Sequence, residues 1–241
     1  VAVLGCGYGM SADRFDEYAA QYGIDLASTG LTAEQVVNGY CNAYPLITGN
    51  RSMDGRQGSR EGGLWQSVAA AARSAIMTGQ NSFAGNCCFS LSNHSLCVTL
   101  PSSRIMYYRN IRLEPEYDRA NPSIKYDLPN SPNHSTYGAK LVENIVQAIC
   151  RDLLAVAIVQ CQKENLPVVL HVHDEIVIEV PECNADRDLE RLLQIMSTPP
   201  DWAVGFPIEV EGFIAPRYLK SPPSTTPIIS GRNGVIIAHG N

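Results

Sequence analysis

The sequence predicts a chain of mixed α and β structure, an α/β class of the α+β kind. Three observations predict it. Capped helical segments follow one another in the N-terminal third. One unbroken helical stretch covers residues 138–163. Two β-branched runs, 168–172 and 176–180, are separated only by His173-Asp174-Glu175, the spacing of a β-hairpin. Composition agrees with a folded core. The chain has 241 residues, 45% hydrophobic and 17% charged, which excludes a disordered chain. A chain of this length buries roughly 70% of its unfolded surface. No apolar run approaches the roughly 18 residues of a membrane span, so no membrane association is expected. Net charge is −6, from 18 basic and 24 acidic residues. That counts against a small basic nucleic-acid binder, but not against an enzyme holding nucleic acid in one local basic groove.

The elements follow in order. The apolar start, Val1 to Leu4, runs into Gly5-Cys6-Gly7-Tyr8-Gly9. One reading is a strand entering a glycine-rich phosphate loop, with Asp25 twenty residues beyond Gly5, as in a dinucleotide-binding unit. Against it, the last glycine falls one position early, Met10 follows it, and another helical segment comes after Asp25. The other reading is a helix ending in a turn that glycine permits. Ser11 is placed to cap a helix reaching Gln21, with Gly23 as its stop. Thr32 and Gln35 have the spacing of a capping box, and the helix they open ends by Pro45. Residues 47–63 are polar and glycine-rich, carry Arg51, Arg56 and Arg60, and read as a long loop. An alanine-rich helix covers 64–77 and stops at Gly79. Short strands are expected at 96–100 and 105–108. The Pro, Asn, Asp and Ser content of 114–137 reads as loop.

The helix over 138–163 is apolar on most sides and is expected to be largely buried. Lys140, Asn144, Gln147 and Arg151 nevertheless share one face, at spacings of 4, 3 and 4. A polar stripe on such a helix points at something polar. A charged helix at 184–197 and short strands within 202–214 follow the hairpin. Residues 221–241 turn to Ser, Pro, Thr and Gly and read as a flexible tail outside the core. The eight cysteines form no Cys-x-x-Cys pair, which argues against a zinc ribbon or a thioredoxin-like site. Without a signal segment they are expected as reduced thiols in a cytoplasm.

His173-Asp174-Glu175 carries the strongest chemistry, because a hairpin tip holds a carboxylate rigidly at the lip of a sheet. Residues 169–181, Val-Leu-His-Val-His-Asp-Glu-Ile-Val-Ile-Glu-Val-Pro, resemble motif C of the family A DNA polymerases, the DNA polymerase I type, most closely their bacteriophage versions. Other segments resemble the same family in the same order. Tyr8-Gly9-Met10-Ser11-Ala12-Asp13-Arg14 resembles the end of motif B on the fingers helix. Leu100-Pro101-Ser102-Ser103-Arg104, with Tyr107, resembles its Leu-Pro-Ser-Gly-Arg segment. Glu143-Asn144-Ile145-Val146-Gln147 resembles the palm helix. Pro200-Asp201-Trp202 and Arg217-Tyr218-Leu219-Lys220 resemble the closing segment. The resemblance covers residues 1–220.

What the resemblance implies is a right-hand polymerase palm with a helical fingers bundle, incomplete in this chain. Residues 1–92 would be fingers, 93–220 the C-terminal half of the palm, and 221–241 the tail. The activity implied is DNA-directed DNA synthesis in the cytoplasm of a bacterial host. Its substrates would be primer-template DNA and deoxynucleoside triphosphates, its cofactor two Mg²⁺ ions. Asp174 would ligate metal and Glu175 would assist. Leu4, Tyr8 and Gly9 would face the nucleotide and template. His173, Gln147, Arg104, Lys140 and Arg151 would contact primer-template DNA. The family position of Leu4 is usually aromatic and affects sugar discrimination; leucine keeps the bulk and loses the ring. The motif A Asp and the motif B Lys lie upstream of Val1 in the family pattern. The chain is therefore expected to need a missing N-terminal polymerase segment and not to polymerise alone. Two alternatives stay open, an NAD(P)-dependent oxidoreductase using the N-terminal glycines and a non-catalytic nucleic-acid-binding remnant.

Overall fold

The computed structural model describes residues 1–51, 60–115, 121–219 and 233–240. Its contacts divide the chain into two compact units, Val1–Val146 and Gln147–Asn241.

The first unit opens with short helices. α1 (Ala2–Gly7) is helical through the glycines, and Gly9 makes the left-handed turn after it, at φ 70. α2 (Ala12–Gln21) follows Ser11 at its N-cap. α3 (Leu26–Thr29) is capped by Asp25, whose carboxylate accepts from the Ala27 N–H at 3.1 Å. Asp25 is thus a helix cap, and the segment expected to form a phosphate loop is a helix. The dinucleotide reading has lost both its strand and its acidic residue. α4 (Ala33–Ala43) has the complete capping box. Gln35 N–H donates to Thr32 Oγ1 at 3.2 Å, and Thr32 N–H donates to Gln35 Oε1 at 2.8 Å. Cys6, Phe15, Ala19 and Leu26 form the buried core of this helical part.

α5 (Pro45–Thr48) starts at the proline that ends α4. Within the expected loop, β1 (Asn50–Arg51) and β2 (Arg60–Glu61) pair antiparallel. Arg60 donates to Gly49 O at 3.0 Å and to Asn42 Oδ1 at 2.9 Å, so its role is structural. Arg56 lies outside the described residues. α6 (Leu64–Thr78) ends at Gly79 in the left-handed region, as its sequence predicts.

A six-stranded antiparallel meander then follows: β3 (Ser82–Ala84), β4 (Cys87–Ser92), β5 (Ser95–Thr99), β6 (Ile105–Glu114), β7 (Ser123–Leu128) and β8 (Ser131–Thr136). β7 and β8 correct the expectation of a loop over 114–137. β7 alternates Ile124, Tyr126 and Leu128 with polar residues, and Ile124 is fully buried, whereas the polar composition of β8 hides its strand and Arg112 helps hold it. Its guanidinium bonds Asp127 at 3.1 Å and Asn133 at 2.8 Å, tying β6, β7 and β8 together. The expected boundary at 92/93 falls at the β4–β5 turn, inside this continuous sheet.

α7 (Gly138–Lys163) runs through the division between the units. In the second unit it is followed by β9 (Val168–Val172), β10 (Glu175–Pro181), α8 (Ala185–Ser197), β11 (Val210–Ala215) and β12 (Asn233–Gly240). The sheet order is β11-β12-β10-β9, antiparallel throughout. β12 corrects the expected tail for residues 233–240. It lies between β10 and β11, with Ile237 and Ala238 fully buried. The β-branched run Val235-Ile236-Ile237 is a local strand signal that the Ser, Pro, Thr and Gly content before it masks, and the edges of β10 and β11 accept its backbone.

Leu154, Ala157 and Cys161 of α7 pack with Ile176, Ile178 and Leu192 in the second unit's core. Val146, Val156 and Val159 are instead exposed, at 49%, 39% and 54%. The expectation of a helix buried on most sides is therefore corrected to one buried face. Asp188 on α8 is 4% exposed and accepts from Arg187 at 3.0 Å and Arg191 at 3.1 Å. Arg191 also donates to Glu164 O at 2.9 Å, linking α8 to the residue after α7. Among the described residues no helix is long and apolar enough to cross a membrane.

Candidate active site

The hairpin builds the site. Glu175 pairs with Val172 and Ile176 with His171, which leaves His173 and Asp174 as a two-residue turn. His173 adopts φ 51, a left-handed conformation uncommon for a residue with a Cβ. Asp174 is exposed, and its carboxylate accepts no hydrogen bond among the described residues. Both turn residues line a cavity of about 600 Å³ within the second unit. Gln147, Cys150 and Arg151 line it from one face of α7, and Phe206 lies on its apolar wall. The arrangement is a carboxylate with an exposed amide and a guanidinium around one opening.

At the exposed Cys150, partial desolvation raises the thiol above its ordinary range, and the neighbouring Asp174 charge adds to that rise.

Glu175 behaves differently from Asp174. Its Oε2 accepts from the Tyr218 hydroxyl at 2.8 Å. That bond raises the Tyr218 phenol above its ordinary value, because a carboxylate acceptor favours the protonated donor. Glu175 does not line the cavity. Among the described residues no group of three or more His, Cys, Asp or Glu side chains is placed to hold a metal ion.

The other candidates lie in the first unit. Leu4 is 54% exposed and Tyr8 38%. Tyr137 donates its hydroxyl to Tyr8 O at 3.1 Å. Gly9 sits so close to α7 that an added Cβ would meet Ala139 Cβ at 2.7 Å. Lys140 Nζ lies 6.0 Å from the Tyr8 ring centroid and 2.6 Å from Glu143 Oε2. Lys140 is thus neutralised within its own helix, which raises its pKa. Arg104 is exposed beside Ser103, which has φ 68, in the turn closed by Leu100 N–H donating to Arg104 O at 2.8 Å.

The polar stripe of α7 therefore divides. Asn144 donates inward to the Tyr108 hydroxyl at 3.0 Å. Burial pushes that phenol up to about 12. Gln147 and Arg151 remain at the cavity. The structure brings together Asp174, His173, Gln147 and Arg151, and leaves Leu4, Tyr8, Gly9, Lys140 and Arg104 in the other unit. Sequence reasoning missed Cys150, Phe206 and the role of Tyr218. Cys150 was findable, since it stands on the face shared by Gln147 and Arg151. Tyr218 was not, since its partner is 43 residues away.

No family model matches the chain, and no solved structure matches it. The chain is 36% identical over 129 residues to the DNA polymerase of Bacillus phage SP02. The match covers 52% of this chain and 20% of that polymerase, so the chain spans a minor part of the relative's length. The similarity supports a relationship to a DNA polymerase.

Proposed function

We propose that this chain is part of a template-directed DNA polymerase of the family A type, contributing fingers helices and the motif C side of the palm. One observation carries the reading: Asp174 stands on a rigid two-residue turn and faces a cavity that Gln147 and Arg151 also line. The likeness to a phage DNA polymerase supports it independently.

The Asp174 carboxylate fits a divalent cation as one ligand, since no hydrogen bond competes for it among the described residues. The described residues do not make a full set, so the remaining oxygens must come from substrate phosphate, water and a carboxylate elsewhere. The chemistry that bound Mg²⁺ ions supply to phosphoryl transfer is charge neutralisation at the phosphates and activation of the attacking hydroxyl. The chain's own residues hold and orient. Gln147 reaches minor-groove acceptors common to all base pairs, which suits copying without sequence preference. Arg151 and Arg104 meet backbone phosphates, and Lys140 does so after leaving Glu143. His173 borders the primer end. Tyr8 offers a ring to the templating base, beside Leu4 and Gly9 at the nucleotide.

The test is primer extension with Mg²⁺ and the four deoxynucleoside triphosphates, using the product of the complete reading frame that contains this sequence. Asp174→Asn should abolish extension while primer-template binding, read by fluorescence anisotropy, persists. Extension at the wild-type rate by Asp174→Asn would overturn the assignment. DNA binding without extension by the wild type would favour the non-catalytic alternative. The 241-residue chain by itself is expected not to extend a primer, because its described residues present one free carboxylate at the cavity.

A further inference from the structure

We infer that Tyr218 is a positioning residue for the acidic pair at the hairpin tip. Its hydroxyl holds the Glu175 carboxylate out of the cavity, so that Asp174 is the acid presented there. The inference rests on the polymerase reading of Asp174 and deepens it.

The geometry is specific. Asp174 stands in the turn and Glu175 opens β10, where the pleat directs it away from its neighbour, but a glutamate side chain is long enough to swing back toward the opening unless it is held. Two carboxylates turned into one opening would repel each other, and each would raise the other's affinity for protons and cations. The second charge is withdrawn instead. Glu175 opens β10 in register with Val172, and its Oε2 accepts from Tyr218 at 2.8 Å, within the range of charge-assisted hydrogen bonds. No other donor reaches Glu175 among the described residues. Tyr218 comes from the segment after β11 and is half-buried. A phenol is well suited to hold the carboxylate in this way. It donates one proton along a fixed direction and brings no charge, whereas Lys or Arg would neutralise the site.

The consequence is a fixed charge at the cavity. With Tyr218 in place, one carboxylate faces an incoming divalent cation and its phosphate partners. Without it, Glu175 is free to rotate, and the opening gains a second negative charge in a misplaced position.

The test uses the product of the complete reading frame and follows both kcat and the Mg²⁺ concentration giving half-maximal primer extension. Tyr218→Phe removes the hydroxyl and keeps the ring. It should lower the half-saturating Mg²⁺ concentration and kcat, each by roughly tenfold, the lower end of the 10–100-fold effects of residues that orient ligands. Adding Glu175→Gln to Tyr218→Phe removes the released charge and should return the Mg²⁺ dependence to within about threefold of wild type. A purely structural role for Tyr218 would not be rescued this way. Unchanged kinetics in Tyr218→Phe, or a shift in Mg²⁺ dependence that Glu175→Gln does not restore, would overturn the inference. A separate reading of the bond comes from the ring ¹³Cζ resonance of Tyr218 in the chain at fixed pH. It should move in Glu175→Ala and stay near its place in Glu175→Gln, which keeps an acceptor. An unmoved resonance in Glu175→Ala sinks the inference, whereas a wild type that extends no primer sinks the polymerase reading.

Discussion

Two hairpin turns in this molecule invite comparison. One joins β4 to β5 through Asn93 and His94, the other joins β9 to β10 through His173 and Asp174. Both are two residues long, both are exposed, and both hold a histidine in the left-handed region, at φ 57 and φ 51. At the first turn Asn93 is left-handed as well, and His94 O accepts from Ile111 N–H at 2.9 Å, stitching the turn to its own sheet. At the second turn the carboxylate is left unbonded beside a cavity lined by Gln147 and Arg151. A tight turn with an unusual backbone is thus not a site by itself. The site arises where a helix brings polar side chains to the turn and the turn's own acid is left without a partner.

The comparison can be broken in decreasing order of effect. Asp174→Ala should cost more activity than the roughly 10–100-fold loss seen when a ligand's supporting residue is removed. Its stability should stay within about 0.5 kcal/mol of wild type, since an exposed, unbonded side chain is lost. A large fall in melting temperature would show that Asp174 is structural after all.

The next effect falls on α8, whose last turn supplies Ile195 and Met196 to the same cavity. Asp188→Asn should destabilise by about 1.5–3 kcal/mol, the range for hydrogen bonds to charged groups. Burial pushes the Asp188 carboxyl up, but the hydrogen bonds from Arg187 and Arg191 outweigh it and hold the group below its ordinary value. A depressed carboxyl gives stability that is present above about pH 4 and is lost as the pH falls through the folded value. Urea unfolding at neutral pH and at progressively lower pH should show the wild type losing its advantage over Asp188→Asn. A constant difference across that range would refute the linkage.

The smallest effect belongs to the first turn. Asn93→Ala should cost about 1 kcal/mol, because alanine tolerates a left-handed conformation less well than asparagine. Primer extension should be unchanged. If Asn93→Ala impaired extension as strongly as Asp174→Ala, the distinction between the turns would collapse.

Much of the architecture was legible because its causes are local. The Thr32–Gln35 box, the stop at Gly79 and the hairpin around His173 all rest on residues within four positions of one another. What stayed hidden depends on distant partners. β8, Ser-Pro-Asn-His-Ser-Thr, carries no apolar alternation and is held as a strand by pairing with β7 and by the Arg112 bond to Asn133. β12 is a different case: its β-branched run Val235-Ile236-Ile237 was legible, but the Ser- and Pro-rich stretch before it read as a tail. The site was half legible for the same reason. A carboxylate at a hairpin tip can be read from two β-branched runs, but which of two adjacent acids faces the cavity is decided by Tyr218.

The position of β12 has a practical side for anyone producing this protein. A version shortened before Asn233 would leave the facing edges of β10 and β11 bare, with their backbone N–H and C=O groups open to other chains. Such a truncation would be expected to clump during expression.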